Sequence, residues 1–114
     1  MEHFSRISLL TAHMHVHRVS LVRIVAEKRL TGRILALLTD AGANGYTIYD
    51  AAGAGEHGER SGASFETTNV VIEVITSEPG GMVMLQRVEA EFLPGAALIA
   101  YIQDVRTLRK SKFS

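Results

Sequence analysis

The segment His17–Ala26, HRVSLVRIVA, limits the possible folds most, because it is apolar on both sides of an extended chain. Val19, Leu21, Arg23 and Val25 share one side and Val22 and Ile24 the other, since strand side chains alternate. Such a strand needs neighbours at both edges and cover on both faces, so it reads as central in a sheet. Thr67–Thr76, TTNVVIEVIT, repeats the pattern, with Val71, Glu73 and Ile75 opposite Val70, Ile72 and Val74. Two further strands are predicted at Asn44–Ala52 and Ala97–Leu108.

Two helices lie between them. In EKRLTGRILALLTDAGANG, Leu30, Ile34, Leu37 and Leu38 recur at helical spacing, and Gly42 and Gly45 stop the run. Pro79-Gly80-Gly81 breaks the third strand, and Met82–Phe92 is predicted helical with Val83, Leu85, Val88 and Phe92 inward. Pro94-Gly95 ends that helix. The order β-α-β-loop-β-α-β describes an α+β, ferredoxin-like βαββαβ domain: a four-stranded antiparallel sheet with both helices on one face. Two helices leave the other face of a two-sided apolar sheet bare. Burial against other copies of the chain follows, and a homotrimer is the expected closure.

The 114 residues make one domain, with residues 1–14 a lead-in of no clear period and a basic tail, RKSKFS. Twelve basic and twelve acidic residues balance to zero, which argues against a general nucleic-acid binder. The absence of cysteine excludes disulfides, thiolate zinc sites and thiol catalysis. No apolar run approaches the ~18–20 residues of a membrane span, and no secretory pattern opens the chain. The expectation is a soluble cytoplasmic protein without direct membrane insertion.

The strongest functional signal is Gly45–Gly62, GYTIYDAAGAGEHGERSG. A strand runs into a loop where Gly53, Gly55, Gly58 and Gly62 are interrupted by Glu56, His57, Glu59 and Arg60. Glycine at that density costs backbone entropy, and is useful where backbone amides must approach an anion closely. Arg60 offers a planar donor fork for phosphate, but fits equally a solvated charge paired with Glu56 or Glu59. A G-x-G on its own also fits a plain turn.

Gly45–Gly55 and Ala97–Phe113 together resemble the PII signal-transduction superfamily. In that family a ferredoxin-like trimer carries a flexible T-loop between its second and third strands and binds adenine nucleotides between subunits. GYTIYDAAGAG stands where the family has its strand and T-loop entry, with Thr47, Gly53 and Gly55 in the matching places. DAAGAG at Asp50–Gly55, RSG at Arg60–Gly62 and the terminal YIQDVRTLRKSKF look closest to the PII-like proteins of inorganic-carbon metabolism. The resemblance implies a T-loop over residues 53–66 and a nucleotide site using Thr47, Gly53, Ala54, Gly55, Arg60, Gly95, Arg109 and Lys110. Gly55, His57 and Arg60 are the residues it offers to bicarbonate. The implied ligands are ADP or AMP, with ATP and cyclic AMP as further candidates, and no separate cofactor. The implied partner is a bicarbonate transporter or a carboxysome component, and the implied role is regulation without catalysis.

The departures are specific. The loop from Gly53 to Phe65 holds no tyrosine for uridylylation, and His57 stands near the family's ligand-holding glutamine. Apolar Ala97-Leu98-Ile99 replaces the region of a phosphate-binding lysine. These differences count against 2-oxoglutarate sensing and a tightly held Mg–ATP. Regulation through a terminal cysteine pair, as in some transporter-associated relatives, is excluded.

Two other readings fit parts of the chain. His13, His15 and His17 alternate and would share a strand face, which suits a ferredoxin-like trimer binding divalent metal, or simply exposed histidines. Ser61, Ser64, His57 and Asp50 include the residue types of a nucleophile system, as in a small nucleotide-hydrolysing enzyme, but a glycine loop preorganises them poorly. Met14, Met82 and Met84 read as packing residues.

Overall fold

The computed structural model describes residues 14–52 and 68–108. β1 (His17–Glu27) leads through one 3-10 turn (Lys28–Leu30) into α1 (Thr31–Asp40). β2 (Thr47–Ala51), β3 (Asn69–Thr76), α2 (Glu78–Phe92) and β4 (Ile99–Thr107) complete the order. The strands form one antiparallel sheet in the order β2-β3-β1-β4, with β1 and β3 inside as their two-sided apolar sequences require. This is the βαββαβ arrangement expected from the sequence.

Both helices cover the same sheet face. Val22, Ile24 and Ala26 of β1 and Val70, Ile72 and Val74 of β3 meet Ile34, Leu37 and Leu38 of α1 and Met84, Val88 and Phe92 of α2. α1 ends where Gly42 takes φ +106°, a conformation that strains residues with a Cβ, and Ala43 N–H closes on the Leu38 carbonyl at 2.9 Å. Gly45 does not share that role: it keeps an ordinary φ.

α2 differs from its sequence expectation at its start and in its phase. Pro79-Gly80-Gly81 does not precede the helix but forms its first turn. Ser77 caps it by accepting a hydrogen bond from the Gly80 amide at 3.1 Å, and Pro79 sits where no amide hydrogen is needed. Gly81 is buried against the sheet, so α2 presents Gly81, Met84, Val88 and Phe92 inward, with Leu85 half-buried. Val83, expected inward, is 44% exposed, whereas Met84, read as a packing residue, is fully buried. Met84 is thus a packing residue, whereas Met14 and Met82 are exposed. β2, β3 and β4 are shorter than the sequence implied, while β1 runs one residue longer, to Glu27. β2 in particular pairs only with β3, and most of it is exposed.

The uncovered face carries Val19, Leu21, Arg23 and Val25 of β1 and Val71, Glu73 and Ile75 of β3. By register, Thr47 and Tyr49 of β2 and Ile99, Tyr101, Gln103 and Val105 of β4 lie on the same side.

Candidate functional site

The long β2–β3 connection leaves the sheet beside the end of β1. Ala51 pairs with Asn69, which in turn pairs with Glu27. The next residue, Lys28, reaches both stems of the connection. Its amide donates to the Thr68 carbonyl at 2.8 Å, and its Nζ lies 3.1 Å from Asp50 Oδ2. The 3-10 turn that follows β1 is what brings Lys28 across. The chain entering α1 is therefore tied to the exit of β2 and the start of β3. Ala52 and Thr68 are the last described residues on the two stems.

Gly53, Ala54, Gly55, His57 and Arg60, expected at the nucleotide or bicarbonate site, lie outside the described residues, as do Arg109 and Lys110. Of the expected set, Thr47 and Gly95 are described. Thr47 is exposed at the start of β2, opposite Glu73. Gly95 is exposed in the turn after α2, where its amide donates to the Phe92 carbonyl at 3.2 Å. The structure does not bring these two together.

The sheet also sets how far apart the two ends of the expected site stand. β2 and β3 open next to Glu27, whereas Thr107, the end of β4, pairs with His17 at the other end of β1. At about 3.3 Å per residue that is roughly 33 Å within one chain.

Of the N-terminal histidines, His13 lies outside the described residues, His15 is exposed and His17 is half-buried at the start of β1. Among the described residues no group of three or more His, Cys, Asp or Glu gathers as a metal-binding set.

Sequence reasoning missed a polar ladder across the uncovered face. Arg23 Nε donates to Glu73 Oε2 at 2.7 Å, and Arg23 Nη1 donates to the Tyr101 hydroxyl oxygen at 2.7 Å. The Tyr49 hydroxyl donates to Glu73 Oε2 at 3.1 Å. Each of the four strands contributes one member, in the order Tyr49, Glu73, Arg23, Tyr101. The hydrogen bonds to Tyr101 and then Glu73 raise the Arg23 pKa further above its already high range. Desolvation first, then the bond to Glu73, pushes the Tyr49 phenol up from its ordinary 10.0. The available signal was Arg23 between Leu21 and Val25, and Glu73 between Val71 and Ile75, on one side of each strand, since a charge on such a surface needs a partner.

The sequence profile of the family described as nitrogen regulatory protein P-II matches residues 19–112. The chain belongs to the P-II family. Among solved structures, this P-II chain is similar to a PII-like signaling protein from Thermus thermophilus, at 36% identity and TM-score 0.75, covering 89% of this chain and all (100%) of that one. It shares its fold with CPII from Thiomonas intermedia, solved with ADP and bicarbonate bound, at 23% identity and TM-score 0.76, covering 87% and 97% of the two chains. The B. subtilis GlnK–ATP complex is more distant, at 13% identity and TM-score 0.59, covering 77% and 82%. Among curated proteins none matches by sequence. No helix among the described residues of this P-II chain is long and apolar enough to cross a membrane.

Proposed function

We propose that this P-II chain is a non-enzymatic sensor that works as a cytoplasmic homotrimer. It binds ADP or AMP between subunits, together with bicarbonate, at the base of residues 53–66. Ligand selects one population of that loop, which then presents or withdraws a surface for a regulated partner. The partner in this reading is a bicarbonate transporter or a carboxysome component, and the output is control of inorganic-carbon uptake.

The observation that carries the reading is the likeness to a PII-like signaling protein over nearly the whole chain, at 36% identity. The fold it shares with an ADP- and bicarbonate-bound protein supports the choice of ligands. The sheet supports a shared site. A nucleoside diphosphate is much shorter than the roughly 33 Å between the exit of β2 and the end of β4, at about 3.3 Å per residue. A site that draws on residues adjoining both of these strand ends is met most directly by two copies of the chain.

A thermal-shift panel of ATP, ADP, AMP and cyclic AMP, each with and without bicarbonate, tests it. A ligand that binds only the native state adds about 2.7 kcal/mol of stability at a hundred times its Kd. The reading expects ADP or AMP to raise the melting temperature, with a further change when bicarbonate is added. No shift with any adenine nucleotide removes it. Prolonged incubation with ATP is expected to yield no ADP or AMP above the protein-free control.

A further inference from the structure

The uncovered face of the sheet holds an unusual distribution of polarity. Away from Glu27 at one end, its charged residues are Arg23 and Glu73, and they are paired at 2.7 Å. Around them stand Val19, Leu21, Val25, Val71, Ile75, Ile99 and Val105, with the uncharged polar Thr47 opposite Glu73 and Gln103 opposite Leu21. Tyr49, Ile99 and Tyr101 leave large apolar surface in contact with solvent in the single chain. An ion pair in the middle of an apolar face is a weak source of stability once that face is covered, since desolvation offsets the attraction between the charges.

The ladder is also incomplete within one chain. Arg23 uses Nε and Nη1, Glu73 accepts twice on Oε2, and Tyr101 accepts from Arg23 through its oxygen. Arg23 Nη2, Glu73 Oε1 and the Tyr101 hydroxyl hydrogen have no hydrogen-bond partner among the described residues. The ladder thus offers two kinds of donor and one acceptor, and it is electrically balanced. A face with that inventory is complementary to itself: a second copy supplies the carboxylate oxygen that one copy's guanidinium and phenol lack. A partner carrying net charge of either sign finds no counter-charge here beyond the existing pair.

We infer that the Tyr49–Glu73–Arg23–Tyr101 ladder is the registry key of self-association, docking on the same face of a second copy and fixing how many copies assemble. The inference rests on the trimer reading above and deepens it. Leu21, Val25, Ile75, Ile99 and Val105, which keep surface exposed in the single chain, supply the non-directional drive to bury the face, whereas Val19 and Val71 are already buried. Non-directional burial tolerates sliding and alternative stoichiometries. Directional bonds between buried polar groups do not, because a slipped copy leaves a donor or a carboxylate unpaired.

The test measures the mass of the full-length chain by size-exclusion chromatography with light scattering and by native mass spectrometry, across a dilution series. Wild-type chain is expected at one stoichiometry, three copies. Arg23→Met leaves the Glu73 carboxylate without its cation in a covered face, and the concentration at which the assembly dissociates is expected to rise at least about 100-fold. Arg23→Met/Glu73→Met removes both charges together. It is expected to assemble again, now as a mixture of stoichiometries, because burial remains while the key is gone. Circular dichroism accompanies each variant, and if Arg23→Met does not fold, the double variant carries the decision. A double variant with the same single stoichiometry as wild type overturns the role of the ladder and leaves the trimer reading standing. A wild-type chain that stays monomeric throughout the series overturns the trimer reading itself, and the ladder's role with it.

Discussion

Gly81 on α2 lies so close to Ile102 on β4 that a Cβ at position 81 would stand 2.6 Å from Ile102 Cδ1. The same Cβ would meet Ser20 Cβ at 3.2 Å. This close approach, rather than any freedom of the backbone, is why a glycine sits in the first turn of a helix. It sets the depth at which α2 rests on the sheet.

Gly81→Ala is therefore expected to destabilise the fold. Overpacking costs about 1–3 kcal/mol, and the better helix propensity of alanine returns about 1 kcal/mol. The denaturant midpoint is expected to fall with an unchanged slope. A midpoint equal to wild type or higher shows that the Ile102 side chain gives way, and that the helix depth is not set here.

Phe92 closes the core at the other end of α2 and is 2% exposed, while the Arg33 guanidinium lies over its ring at 4.7 Å. Phe92→Ala is expected to cost about 3–5 kcal/mol, since it empties a large buried volume. Arg33→Ala removes only the cation above the ring, at a cost of about 0.5–1 kcal/mol. Equal losses in the two variants, measured by urea unfolding, contradict this division.

Tyr49 carries a pH prediction. Its phenol is raised above the ordinary 10.0, first by desolvation and then by its bond to Glu73, so folding favours the neutral form. The stability it contributes is fully present below about pH 10 and is lost as pH rises through the higher folded value. Between pH 9 and 11 wild type is expected to lose more stability than Tyr49→Phe, which has no phenol to ionise there. Parallel curves for the two proteins would show that the Tyr49–Glu73 bond has no energetic consequence.

Lys28 and Asp50 are both well exposed, at 48% and 57% of their side-chain surface, so their ion pair is worth at most about 1 kcal/mol. Lys28→Met is expected to leave the melting temperature of the unliganded chain nearly unchanged. If the base of the β2–β3 connection serves the nucleotide, the same variant is expected to reduce the ADP-dependent thermal shift. An unaltered shift assigns Lys28 a purely structural place.

Much of the fold was legible because it is written in local periodicity. The two-sided apolar runs at 17–26 and 67–76 required interior strands, and β1 and β3 are the two inner strands of the sheet. Leu30, Ile34, Leu37 and Leu38 are all buried, as their helical spacing implied. Around Pro79 the reading failed. Proline and glycine punctuate a chain in either direction, and only the Ser77 cap and the contact of Gly81 with Ser20 distinguish a helix start from a break. At the candidate site Thr47 and Gly95 are described, and the other expected residues are not, so the family resemblance still carries that assignment.

By itself, then, the sequence determined the order of elements, the inner strands and the face of α1 that packs, because each depends on residues within a turn or two of one another. Tertiary structure alone decided that Arg23 meets Glu73, that Tyr49 and Tyr101 extend that pair across all four strands, and that Val83 stays out of the core. Those outcomes depend on strand register and on how deeply α2 settles on the sheet. Both are set by contacts between residues far apart along the chain, which no local pattern records.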